Sequence, residues 1–109
     1  MTSSKTDLHI ALAQLNPHLG DVNANCDKLL QMRARAAEQN CQILLPPEMY
    51  LSGYPADDLV LRADFMDRVA AGIARLAAAT ADGGPAIICG APVRDAGCLF
   101  NAVFVLDDG

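Results

Sequence analysis

The apolar positions fall into alternating extended and helical runs, and their order predicts an α/β protein. Residues 8–15 are apolar on both faces of an extended segment, with Gln14 the polar exception near the carboxyl end. Such a strand suits a sheet covered on each side. Asn16-Pro17 and Leu19-Gly20 form a turn. Asp21 then caps a helix running to about Asn40, with Val22, Cys26, Leu29, Leu30, Ala36 and Ala37 near the 3.6-residue period as its buried face. Arg35, Glu38 and Gln39 belong to its solvated side. A second buried strand spans 42–45. Residues 56–62 form a short helical turn, after which Asp64 caps a longer helix with Asp67 at its third position. The apolar face of that helix is Phe65, Val69, Ile73 and Leu76, and 77–81 carry it to a break at Asp82-Gly83-Gly84-Pro85. Residues 86–93 and 98–106 are strands joined by Arg94-Asp95-Ala96-Gly97. They predict an antiparallel hairpin with Gly97 at positive φ. The order is β-α-β-(short helix)-α-β-β, with no internal repeat or linker.

Composition narrows the classes of function. The chain has 109 residues, 52% of them hydrophobic and 19% charged. That suits one small core-forming domain burying about two-thirds of its unfolded surface. A net charge of −5 without a basic stripe excludes a nucleic-acid backbone binder. No apolar run approaches the roughly 20 residues that span a bilayer. Residues 1–7 are polar, lack the apolar core of a secretory signal, and are expected to be a disordered lead-in to a unit spanning 8–109. A cytoplasmic location is expected. The four cysteines fit that compartment as reduced thiols: none forms a Cys-x-x-Cys pair and no zinc spacing is present. Cys26, Cys89 and Cys98 fall at helix-stripe or strand positions and are expected to pack as small hydrophobes, whereas the environment of Cys41 stays open. His9 and His18 have no partner at ligand spacing, so no metal site is expected. Gly83-Gly84 precedes a strand and does not open a helix, unlike a phosphate-cradling loop.

The candidate chemistry lies in Leu44-Leu45-Pro46-Pro47-Glu48-Met49-Tyr50-Leu51-Ser52-Gly53-Tyr54-Pro55-Ala56-Asp57-Asp58-Leu59. Two prolines stop the second strand, because neither can donate to a ladder and each fixes its own φ. Glu48, one of only two glutamates, follows at the carboxyl edge of a parallel strand. Open α/β sheets place their ligands at that edge. On residue type alone Glu48 fits two roles, a helix cap or surface ion pair on one side and a positioned general base on the other.

This string resembles the segment around the catalytic glutamate of the nitrilase superfamily of carbon-nitrogen hydrolases. Its Gly-Tyr-Pro followed by Asp-Leu is most similar to the glutaminase domain of glutamine-dependent NAD synthetases. The resemblance extends to Ile10-Ala11-Leu12-Ala13-Gln14-Leu15-Asn16, Gly20-Asp21 and Phe100-Asn101-Ala102, nearly the whole chain. Met49 and Tyr50 depart from the small apolar residues of that pattern. The resemblance implies an α-β-β-α sandwich of about 250 residues or more. This chain would be its N-terminal part, with one apolar sheet face left for a second sheet to cover. It also implies amide hydrolysis by a Glu-Lys-Cys triad through a cysteine thioester, with Glu48 as general base. The lysine would stabilise the oxyanion. Neither Lys5 nor Lys28 follows the fourth strand, and no cysteine stands at a strand-to-helix elbow, so those two members are expected beyond this chain. Tyr54 is similar to the tyrosine that walls the glutaminase pocket, with packing inside the turn as its alternative role.

The partners so implied are glutamine, the remainder of the domain, and a C-terminal synthetase domain. That domain would use ATP and magnesium to amidate deamido-NAD, in a homo-oligomer. No cofactor is expected in this segment, and the chain alone is expected to be inactive. Two other readings stand beside this one: another nitrilase-type amidase or carbamoylase, and a non-catalytic α/β interaction module presenting an acidic surface.

Overall fold

The computed structural model describes residues 7–109; all but the last residue of the expected lead-in at 1–7 lies outside the described residues. The elements are β1 (Ile10–Leu12), α1 (Val22–Glu38), β2 (Ile43–Leu45), a 3-10 turn (Asp57–Leu61), α2 (Ala63–Ala79), a second 3-10 turn (Thr80–Asp82), β3 (Ala86–Asp95) and β4 (Cys98–Leu106). They build one four-stranded sheet in the order β1-β2-β3-β4. β1 pairs parallel with β2 and β2 with β3, whereas β3 and β4 are antiparallel. The expected element order therefore holds.

The helices pack on one face of this sheet. In α1, the Asp21 side chain accepts a hydrogen bond from the Ala24 amide at 3.1 Å, the cap the sequence predicts. Val22, Cys26, Leu29 and Ala36 are buried, and Leu30 is half-buried. Ala37 is exposed, because one further residue turns it about 100° away from Ala36. In α2, Phe65, Val69 and Leu76 are buried with Ile73 partly so, matching the expected stripe. Its start differs from expectation. The cap position is Arg62, Asp64 lies inside the first turn, and Asp67 is the fifth helical residue. The Asp64 carboxylate is engaged by Arg62 and Arg68, which hold its pKa below the usual carboxylate range.

The strands show a two-sided contrast. On the helix side, Ala13, Leu44, Ile87, Cys89, Ala91 and Leu106 are buried. The other face is bare: Ile10 is 48% exposed, Leu12 74%, Val103 68% and Val105 69%. Residues 8–15 are thus not covered on both sides within this chain, and regular β1 pairing is limited to three residues. The hairpin connection is shorter than the four residues expected. Asp95 pairs directly with Cys98, leaving a two-residue turn in which Ala96 and Gly97 both have positive φ, 50° and 79°. Such a turn matches the twist of its strands. Cys98 sits exposed at that end, so the core role expected for it does not hold, while Cys26 and Cys89 are buried as expected.

A charge cluster ties α1 to the start of β3. Arg33, on the buried side of α1, donates to the Pro85 carbonyl at 2.8 Å, to the Ala79 carbonyl at 3.2 Å, and to both carboxylate oxygens of Asp82. Asp82 also accepts from the Gly84 amide at 2.8 Å. The guanidinium foremost, then that amide, hold the Asp82 pKa down at about 2. Gly83-Gly84 therefore serves a structural junction, and its Gly84 amide is already occupied.

Candidate active site

The prolines end β2 after Leu45, and the chain leaves the ladder beside β3. The loop that follows is buried for most of its length. Tyr50, Leu51 and Ser52 have essentially no exposure. Tyr50 donates its hydroxyl to the Asn25 carbonyl of α1 at 2.9 Å, and burial pushes its pKa up to about 12, so it stays a neutral phenol. The Asn25 amide donates to the carbonyls of Leu51, at 3.0 Å, and His18, at 2.9 Å, while its oxygen accepts from the His18 amide at 2.8 Å. The Gly20 amide closes the bracket on the Ser52 carbonyl at 2.8 Å. Beneath the loop, the Leu51 amide donates to the Gly90 carbonyl of β3 at 3.3 Å. A Cβ at position 90 would lie 2.7 Å from the Met49 backbone nitrogen, so only glycine lets the loop lie this close to the sheet.

This buried bracket presents one exposed carboxylate. Glu48 Oε2 accepts a hydrogen bond from Asn101 Nδ2 of β4 at 2.8 Å. Among the described residues Glu48 caps no helix and pairs with no cation, so neither surface role open to it on sequence grounds is realised. It stands at the carboxyl edge of the parallel strands, where open α/β sheets place ligands, with Oε2 engaged and no hydrogen bond to Oε1 among the described residues. Tyr54 projects from the same loop and is 69% exposed, so it is not buried in the turn. No hydrogen bond among the described residues links it to Glu48.

Among the described residues no side-chain nucleophile hydrogen-bonds to this carboxylate. Burial raises the pKa of Cys26 and pushes that of Cys89 up to about 12, which keeps both as inert thiols. Cys41 is half-buried after α1, Cys98 stands at the hairpin turn, and Lys28 is exposed on α1. Among the described residues no group of three or more His, Cys, Asp or Glu could hold a metal ion. No described helix is long and apolar enough to cross a membrane. A groove of about 290 Å³ between α2 and the β3–β4 hairpin includes neither Glu48 nor Tyr54.

Four residues that shape the site carried no assigned role on sequence grounds. Asn25 interrupts the apolar stripe of α1, and Gly90 interrupts an apolar strand, each a signal of a special contact. Asn101 is the polar member of the alternating row Leu99, Asn101, Val103, Val105. Tyr50 gave no usable signal, since an aromatic in a turn segment reads equally as exposed.

Comparison with known proteins places this arrangement. Residues 9–109 match the carbon-nitrogen hydrolase family model. The glutamine-dependent NAD(+) synthetase of Rhodobacter capsulatus is 40% identical over 100 residues, 92% of this chain and 18% of that protein. The structure of the glutamine-dependent NAD+ synthetase from Acinetobacter baumannii superposes with a TM-score of 0.83 at 29% identity, covering 91% of this chain and 18% of the other. An amidase from Nesterenkonia sp. superposes with a TM-score of 0.70 at 30% identity, over 81% of this chain and 33% of the amidase. The chain thus spans under a fifth of the synthetases it matches, and its open mixed sheet with two helices corresponds to part of the nitrilase-like fold. With the family model matched over residues 9–109, the chain belongs to the carbon-nitrogen hydrolase family.

Proposed function

We propose that this chain is the N-terminal segment of the glutaminase domain of a glutamine-dependent NAD synthetase, with Glu48 as its general base. The observation that carries the reading is the single exposed carboxylate, held at the carboxyl end of β2 by a buried loop and hydrogen-bonded to Asn101. Glu48 takes the proton of a cysteine thiol supplied by the remainder of the domain. The thiolate attacks the glutamine amide, Glu48 returns the proton to the leaving nitrogen so that ammonia departs, and the regenerated carboxylate activates the water that hydrolyses the thioester to glutamate and free thiol. A lysine, also from the remainder, stabilises the tetrahedral oxyanion. Tyr54 walls the glutamine pocket. The ammonia amidates deamido-NAD at a C-terminal synthetase domain, which holds ATP and magnesium, in a cytoplasmic homo-oligomer. The 109-residue chain alone supplies a base without its nucleophile and is inactive.

The test is Glu48→Gln in the full-length protein. It keeps the shape of the side chain but cannot accept the proton, and glutamine-driven synthesis falls by about 10²-fold to 10⁴-fold. Synthesis from ammonium continues, because it bypasses amide hydrolysis. Loss of both routes together assigns Glu48 to the fold, and loss of neither refutes the assignment as base. The match to the Nesterenkonia amidase favours one second reading, an amidase acting on other amides. A full-length protein that releases ammonia from simple amides and makes no NAD supports that reading instead.

A further inference from the structure

The Glu48 carboxylate is exposed and joins no ion pair among the described residues, so nothing in its own loop fixes the rotation of its oxygens. The contact that does so comes from 53 residues further along the chain, where Asn101 Nδ2 donates to Oε2 at 2.8 Å. We infer that Asn101 is a positioning residue for Glu48: its amide holds Oε2 and so leaves Oε1 as the oxygen that takes the proton. The inference rests on the reading of Glu48 as base.

Three observations support it. Asn101 faces Pro92 in the β3–β4 register, in a row whose other members, Leu99, Val103 and Val105, are apolar. Strand stability gives no reason for an amide at that position, since β-branched residues fill the same face better. The orientation of the amide is chemically determined, because an ionised carboxylate only accepts hydrogen bonds and must meet the N–H₂ end. Finally, an amide donor carries no charge, so it orients the carboxylate without forming the ion pair that would weaken it as a base.

The experiment is a double-mutant cycle in the full-length protein, reading glutamine-driven and ammonium-driven synthesis separately. Asn101→Leu removes the donor at similar volume and lowers kcat on the glutamine route about tenfold to 10²-fold, the cost of a misdirected catalytic group. The KM for glutamine changes little, and the ammonium route is unaffected. Asn101→Asp keeps the shape but offers an acceptor where the donor stood, and loses at least as much. Added to Glu48→Gln, Asn101→Leu costs nothing further, because a residue acting through Glu48 has nothing left to position.

Losses that add in the double variant overturn the inference, as does wild-type kcat in Asn101→Asp. A parallel fall of the ammonium route in both Asn101 variants overturns it too, by making Asn101 a structural residue. If Glu48→Gln itself leaves the glutamine route intact, the failure belongs to the reading of Glu48 as base, and the inference falls with it. A strong Glu48→Gln effect beside a silent Asn101→Leu refutes the positioning role alone.

Discussion

The two faces of the sheet are built from similar residues and live in opposite environments. On one, Leu44, Ile87, Cys89 and Leu106 disappear beneath Phe65, Val69, Leu29 and Leu76 of the two helices. On the other, Ile10, Leu12, Val103 and Val105 face outward with no described element over them. Hydrophobicity alone therefore does not say which face is a core. What distinguishes them is the presence of an amphipathic partner with the matching 3.6-residue stripe, available on one side and absent on the other. Glu48 and Asn101 belong to the bare side, the side on which the proposed catalytic partners would arrive.

The sharpest way to break this comparison is at the covered face. Phe65→Ala removes a fully buried ring and is expected to cost about 3–5 kcal/mol, read as a lowered midpoint in urea unfolding. A loss under about 1 kcal/mol would mean that the helices are not firmly seated. A smaller effect is expected at the Arg33–Asp82 junction, and it depends on pH. The folded pKa of Asp82 is depressed to about 2, below its unfolded value of about 3.9. The group therefore adds stability that is complete above about pH 4 and is lost as pH falls through 2. Asp82→Asn should be less stable than the parent near neutrality, with the gap closing below about pH 3 in acid-unfolding curves. A gap that stays constant across that range would assign the effect to packing instead of charge. The smallest change in stability is expected on the bare face. Val103→Thr should shift the unfolding free energy by no more than about 0.5 kcal/mol while reducing self-association of the 109-residue chain in light scattering. A monomeric parent chain would contradict that, since an apolar face of this kind drives association.

The order of elements was legible because each run has a clear period and a clear stop. Phe65, Val69 and Leu76 sit four and seven residues apart, and Pro46-Pro47 leaves no choice about where β2 ends. The position of Glu48 was legible for the same reason, being fixed by punctuation more than by contacts. What escaped was everything that depends on a partner distant in sequence. Asn25 and Arg33 carried no assigned role in the helix pattern, and their partners lie 26 and about 50 residues away. Asp64 looked like a cap because its residue type fits, but the cap and the helix start lie two residues earlier and its charge is taken by two arginines. Cys98 carried a strand signal that was right about conformation and silent about exposure. Periodicity reports which face a residue shares, and says nothing about what covers that face.

The eight helical steps from Asn25 to Arg33 along α1 span about 12 Å. At one end Asn25 grips the Leu51 and His18 carbonyls, and at the other Arg33 grips those of Ala79 and Pro85. The helix is thus a beam pinned at two points, one under the loop that carries Glu48 and one at the hinge between α2 and β3. A beam held this way does not tilt at one end alone. A substitution at the Arg33 pin is therefore expected to be felt at the Glu48 loop, through the helix that both pins share.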